Sequence, residues 1–210
     1  MSTLLVIAKE PVPGRVKTRL TPPFTPAEAA ALAEACLVDT FRAVAAAPAE
    51  RRVLALAGEP GPWLPPGVEV VPQRGGGLDE RLAAALADCT GPTLLIGMDT
   101  PQVTPQLLAS ALDFGHYDAW LGLAEDGGFW ALGLAEPDPD LVRGVPMSVA
   151  RTGAVQGERL RAAGLRTGRL PVLRDVDTAD DARAVAARAP HGRFAALHAR
   201  LTAGSAGTAR

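Results

Sequence analysis

The runs Leu4–Ile7 and Thr93–Ile96 are apolar almost throughout, with no alternation of polar and apolar residues. A strand with one face in water alternates; a strand buried on both faces does not. Such runs demand helices above and below the sheet. Helical patterns do lie between the strand-like runs, so the expected class is α/β, a mostly parallel central sheet flanked by helices.

The expected strands are Thr3–Ala8, Arg52–Ala57, Val68–Pro72, Pro92–Gly97, Ala119–Leu123, Phe129–Leu134 and Arg169–Leu173. The helical patterns are Pro26–Ala47, Leu78–Cys89, Pro105–Phe114, Val155–Ala163, Ala179–Ala189 and Arg193–Thr202. Thr25 is placed to cap the first helix, Pro26 suits its first position, and Glu28 completes a capping box. Thr104 is the natural cap for the third. There is no internal repeat and no linker, so residues 1–202 read as one domain and 203–210 as a disordered tail.

Bulk properties narrow the function. The net charge of −2 gives no reason to expect nucleic acid or a membrane as partner. Cys36 and Cys89 fall inside Ala-rich helical patterns and read as buried thiols, with no Cys/His spacing that suggests zinc. His116, His191 and His198 are scattered and read as ordinary surface or satisfied histidines, and Trp63, among prolines, as loop packing. No signal peptide or spanning run is seen, and a reducing cytoplasmic setting is the default. Apolar surface on the last helix leaves room for a homodimer.

In open α/β sheets the ligand lies beyond the C-terminal ends of the strands, so the loops there carry the chemistry. After the first strand comes AKEPVPGRVKTRL, residues 8–20. Gly14 permits a left-handed turn, and Pro11 and Pro13 stiffen the approach. Lys17 and Arg19 can reach a polyphosphate, although a solvated surface loop is the plainer alternative. The segment is neither GxxxxGK[ST] nor GxGxxG. After the fourth strand, Asp99 in GMDTP can hold Mg²⁺ or Mn²⁺, since such a cation takes one or two carboxylates plus phosphate oxygens. Because Thr104 caps the next helix, Asp99 is not needed there.

After the last strand, Asp175 and Asp177 share one side of the chain by alternation, and one of them is a second metal carboxylate or a helix-start residue. Thr178 can cap the helix that follows, with Asp181 three residues on. Asp126 in EDGGFW sits in a hairpin turn or contacts the acceptor. In QRGGGLDER, Gln73, Gly75 and Gly76 are candidates to read a base edge, and Arg81 to hold phosphate or pair with an acid on its own helix.

Five stretches, AKEPVPGRVKTRL, QRGGGLDERL, GMDTP, EDGGFWALGL and DVDTADD, span residues 8–181. Together they resemble a glycosyltransferase-like family of the nucleotide-diphospho-sugar transferase (GT-A) fold, long carried as a domain of unknown function. The resemblance implies that the first loop (Ala8, Pro13, Gly14, Arg15, Lys17, Arg19) embraces the nucleotide phosphates and that Asp99 holds the metal, with Asp177 the candidate second carboxylate from its position. Two positions depart from the pattern. Asp79 stands where another glycine is expected, and Met147-Ser148-Val149 replaces a Trp-Ser-Thr-like segment.

The expected activity is nucleotidyl transfer from an NTP to a small phosphate or oxyanion acceptor, with Lys17, Arg19, Asp99 and Asp126 as the working residues. Lys17 and Arg19 would neutralise the β- and γ-phosphates. The alternative is glycosyl transfer from an NDP-sugar with Asp126 as base. The lack of an Asp-x-Asp pair at Asp99 and the Lys-x-Arg clamp favour the first, the family's label the second. A non-catalytic nucleotide-binding domain is the third reading.

Overall fold

The structure, a computed structural model, describes residues 1–207. Seven strands form one sheet: β1 (Thr3–Lys9), β2 (Arg51–Ala57), β3 (Glu69–Pro72), β4 (Thr93–Gly97), β5 (Ala119–Ala124), β6 (Phe129–Leu134) and β7 (Thr167–Leu173). Their order is β3-β2-β1-β4-β6-β5-β7. Only β6 runs antiparallel to its neighbours, because the short hairpin from β5 returns the chain directly. The sheet is therefore mostly parallel. Six helices flank it: α1 (Pro26–Ala46), α2 (Leu78–Ala87), α3 (Pro105–Ala111), α4 (Thr152–Ala162), α5 (Ala179–Arg188) and α6 (Arg193–Gly207).

Burial follows the apolar runs. In β1, Leu4, Val6 and Ala8 enter one core with Leu37, Phe41 and Leu108, while Leu5 enters the opposite core with Leu82, Leu86 and Leu95. A third cluster joins α1 to α5 and α6 through Leu32, Val185 and Phe194. Cys36 and Cys89 are buried free thiols, and Trp63 is buried against Phe41. His198 is buried between Phe24 and Phe194, and burial pushes its pKa down.

The start signals are realised. Thr25 accepts from the Glu28 amide, and the Glu28 carboxylate accepts from the Thr25 amide at 2.8 Å. Thr178 and Asp181 make the same box at α5, and Thr104 caps α3. Several boundaries differ from expectation: α2 ends at Ala87, so Cys89 lies just beyond it, α3 ends three residues early at Ala111, and β7 starts two residues early at Thr167. Helix α4 starts three residues early, at Thr152, because the Thr152 hydroxyl bonds the Pro146 and Val149 carbonyls and the Gly153 amide donates to Gly127 O. Helix α6 extends past Thr202 to Gly207. The rest of the expected tail, 208–210, lies outside the described residues. Among those described, no helix is long and apolar enough to cross a membrane.

Candidate functional site

The segment after β1 is fixed at both ends by buried side chains, Val16 and Leu20. Between them Lys17 adopts a left-handed backbone, φ 49° and ψ 40°, just before a single 3₁₀ turn at Thr18–Leu20. Non-glycine residues adopt that conformation at a cost, and such residues concentrate at functional sites. Here the bend turns the Lys17 side chain inward. Its ammonium lies 2.8 Å from Asp99 Oδ2 and 2.9 Å from Asp177 Oδ1, and the side chain is only 7% exposed. Arg19 approaches Asp177 Oδ2 at 3.4 Å and stays largely in solvent.

The two aspartates are held together by backbone. Asp99 follows β4 and Asp177 follows β7, and the Val176 amide donates to Asp99 O at 2.9 Å. Gln102 adds a bond from its side chain to Arg174 O at 2.8 Å. Sequence alternation put Asp175 and Asp177 on one side, and both line the same cleft.

Electrostatics in this cluster follow from burial and charge. Burial alone would lower the Lys17 pKa, but Asp99 and Asp177 outweigh it and hold the ammonium well above its ordinary value. Burial raises the Asp177 pKa, and Lys17 and Arg19 bring it below the usual carboxylate range. Asp175 has no cation bonded to it. Burial, then Asp99 and Asp126, push it up to about 7.

The cleft has a volume of about 480 Å³ and opens at the C-terminal edge of the sheet. Ala8, Arg15, Lys17, Arg19, Gln73, Asp99, Asp126 and Asp177 line it. Pro13, Gly14, Gly75, Gly76 and Arg81 do not. Gly14 has φ +74° and supplies the turn that leads into the loop. In the glycine-rich segment, Gln73 lines the cleft and is engaged by neighbouring groups. Both Gln73 amide hydrogens are taken, by Ala8 O at 2.7 Å and Ala55 O at 3.0 Å, and its oxygen accepts from Arg81 at 3.2 Å. Gln73 thus straps β1 to β2, and Arg81 supports Gln73 instead of pairing with a helix acid. The Gly76 amide donates to Glu80 at 2.6 Å.

Asp126 is both a turn residue and a cleft residue: it accepts from the Gly128 amide at 2.8 Å and faces the cavity. Gly127, at φ +89°, lies so close to Ala150 that a Cβ would stand 2.0 Å from that carbonyl oxygen. The segment holding Ser148, itself at φ 59°, packs onto this hairpin. Sequence reasoning missed Thr100, Phe129 and Met147 as cleft residues. Each lies in a stretch that the sequence singles out: Thr100 in GMDTP, Phe129 in EDGGFW and Met147 in Met147-Ser148-Val149.

A divalent cation fits these residues. Asp99 Oδ1 is buried and has no hydrogen-bond partner, and Asp99 and Asp177 converge on one positive charge. Among the described residues no group of three or more His, Cys, Asp or Glu is arranged to hold a metal. Two carboxylates suffice for Mg²⁺ or Mn²⁺ when water and phosphate oxygens supply the remaining ligands.

A mostly parallel seven-stranded sheet flanked by six helices is the fold of nucleotide-diphospho-sugar transferases and nucleotidyltransferases. The family described as an uncharacterized protein conserved in bacteria (DUF2064) matches residues 30–149, and the chain belongs to it. A provisionally named nucleotide-diphospho-sugar transferase from Desulfovibrio desulfuricans G20 is similar at 29% identity and TM-score 0.86, over 98% of this chain and 95% of that one. Rv0371c of Mycobacterium tuberculosis H37Rv, in complex with manganese, shares the fold at 23% identity and TM-score 0.55, over 88% and 96% of the two chains. CMP:2-keto-3-deoxy-manno-octonic acid synthetase in complex with CTP shares it at 12% identity and TM-score 0.53, over 89% and 97%. No curated protein sequence matches. The likeness to the D. desulfuricans protein over nearly the whole of both chains places this chain among the transferases.

Proposed function

We propose that the protein is a metal-dependent transferase that uses a nucleotide donor, and that its first activity is nucleotidyl transfer from an NTP with release of pyrophosphate. One observation carries this reading: the Lys17 ammonium, delivered by the loop after β1, meets Asp99 and Asp177 at the strand ends. Phosphoryl chemistry needs positioning and neutralised charge more than covalent help. Arg15, Lys17 and Arg19 supply the positive charge on one wall of the cleft. Asp99 and Asp177 would hold Mg²⁺ or Mn²⁺, which when bound supplies Lewis-acid stabilisation of the reacting phosphate. The manganese complex of Rv0371c, the CTP complex of the synthetase and the D. desulfuricans protein's name fit the same reading.

Glycosyl transfer from an NDP-sugar is the second reading. It is favoured by Asp126 and Asp175, further carboxylates lining the cleft that could take a hydroxyl proton. A thermal-shift panel with Mg²⁺, NTPs set against NDP-sugars, separates the two, because a ligand bound only by the native state raises its stability. Stabilisation by NTPs and product formation with pyrophosphate release establish the first. Stabilisation by NDP-sugars alone establishes the second. If neither class shifts the melting point, the transferase reading fails; binding without turnover on any acceptor points to a nucleotide-binding domain.

A further inference from the structure

Three loops bring carboxylates to the cleft: the turn after β4 with Asp99, the β5–β6 hairpin with Asp126, and the segment after β7 with Asp175 and Asp177. Burial, then Asp99 and Asp126, raise the Asp175 pKa, so negative charge on the three loops acts to part them. Arg174 reaches all three. Its carbonyl accepts from the Gln102 side chain at 2.8 Å, in the turn after β4. Its Nε donates to Glu125 Oε2, beside Asp126 in the hairpin. Its own chain continues into Asp175. Arg188, in the last turn of α5, donates to Glu125 Oε1, and Asp181, in the first turn of that helix, lies 3.9 Å from Arg174 Nε. Gln102, Glu125, Arg174 and Arg188 do not line the cleft.

We propose that Arg174 is a positioning residue whose guanidinium, through Glu125, sets the spacing of the three carboxylate loops. What that spacing serves, a seat for metal and phosphate, rests on the nucleotide-donor reading; the contacts themselves do not. In the first two loops the aspartate lines the cleft, and a residue one to three places away joins Arg174 outside it. Lys17 links Asp99 to Asp177 from inside the cleft. A metal bridging those aspartates would break the inner link and leave the outer one at Arg174 in place. The Glu125 and Arg174 side chains are 30% and 33% exposed, so water screens the pair less than a fully exposed one. Arginine's planar fork fixes direction as well as charge, whereas lysine would keep only the charge. Two backbone bonds run beside the pair, from the Glu125 amide to Leu173 O and from the Val176 amide to Asp99 O, both at 2.9 Å. Those two amides report whether the loops stay together.

The test is amide hydrogen exchange on the full chain, wild type against Arg174→Met, with calorimetric titration of Mn²⁺ together with ATP, CTP, GTP, UTP or UDP-glucose. In the variant the Glu125 and Val176 amides are expected to exchange at least tenfold faster, while amides in β1 and β4 keep their protection. Affinity for whichever nucleotide the wild type binds is expected to fall at least tenfold. Arg174→Lys is expected to lie between the two in both measurements. If Arg174→Met fails to fold, Glu125→Gln, which keeps the size of the partner and removes its charge, carries the same test. Unchanged exchange at both amides overturns the assignment. Exchange that quickens equally in β1 and β4 overturns it too, since Arg174 then serves stability alone. Faster exchange at the two amides with nucleotide affinity unaltered also overturns it. If the wild type binds none of these nucleotides, the nucleotide-donor reading falls by itself, and the two amides alone decide the role of Arg174.

Discussion

Lys17 and Asp99 meet at 2.8 Å across the mouth of the sheet, so that a side chain of the loop after β1 supplies the cation between the two strand-end aspartates. An ammonium and a divalent ion cannot share that point. A divalent ion bridging Asp99 and Asp177 would displace Lys17, and phosphates arriving on the loop would give it a new partner. Mn²⁺ alone is expected to bind the wild-type protein weakly, and at least tenfold more tightly with nucleotide present. Titration followed by electron paramagnetic resonance of free Mn²⁺ reads this directly; equal affinity with and without nucleotide refutes it.

Lys17→Met leaves Asp99 and Asp177 facing each other without their cation. Removing one partner of a buried pair is destabilising by about 3–5 kcal/mol, and the part-exposed aspartates place this case near about 2 kcal/mol. Mn²⁺ should restore part of that loss in the variant while doing little for the wild type without nucleotide. Triphosphate binding should weaken by about 1.5–3 kcal/mol, the scale of a hydrogen bond to a charged group. Thermal melts in EDTA and in Mn²⁺, with calorimetry for the nucleotide, measure both.

Asp175 sets a pH dependence. Its pKa lies at about 7 in the fold, against an ordinary value of 3.8. Between about pH 4 and pH 7 the folded protein keeps a proton that the unfolded chain has released, so stability falls as the pH rises through that window. Asp175→Asn removes the penalty. Its part exposure lets water screen the charge, and the expected gain in metal-free buffer at pH 8 is about 1–2 kcal/mol. At pH 3.5 the variant and wild type should melt together. A gain that is the same at both pH values would show that burial of the charge is not its source.

Gln73 is a strap, and Gln73→Ala should show it. Breaking its bonds to Ala8 O and Ala55 O is expected to destabilise the fold by about 1–3 kcal/mol. Discrimination among nucleobases should be unchanged. A variant that keeps its melting temperature but loses base selectivity would return Gln73 to the role suggested by sequence.

Gly127→Ala should cost more than a surface change, about 2 kcal/mol or above, because it adds both a left-handed backbone penalty and a collision with Ala150 O. Chemical denaturation measures it. Gly14→Ala has the same type of φ, +74°, but open space around the new methyl, and isolates the backbone part.

The strands and helices were legible from local signals. Unbroken apolar runs marked β1 and β4, and Thr25-Pro26-Ala27-Glu28 marked the start of α1, because caps and buried faces are properties of consecutive residues. The approximate edge of the sheet where a ligand would sit followed from the same pattern. What lies beyond local sequence is partnership. Gln73 and Asp99 are both polar residues after a strand, and nothing in the chain distinguishes the one that bonds two backbone carbonyls from the one with a buried, unpartnered oxygen. Asp175 and Asp177 are two residues apart and alternate onto one side, yet only the tertiary structure brings Lys17 to Asp177 and leaves Asp175 among carboxylates. The cleft draws on α2, β4, β6 and the segment before α4 as well as on the loop after β1. Sequence alone determined the class of fold and the loops that carry charge, since both are written in short-range composition. Which charges meet depends on residues far apart in the chain and was decided only when the sheet closed them together.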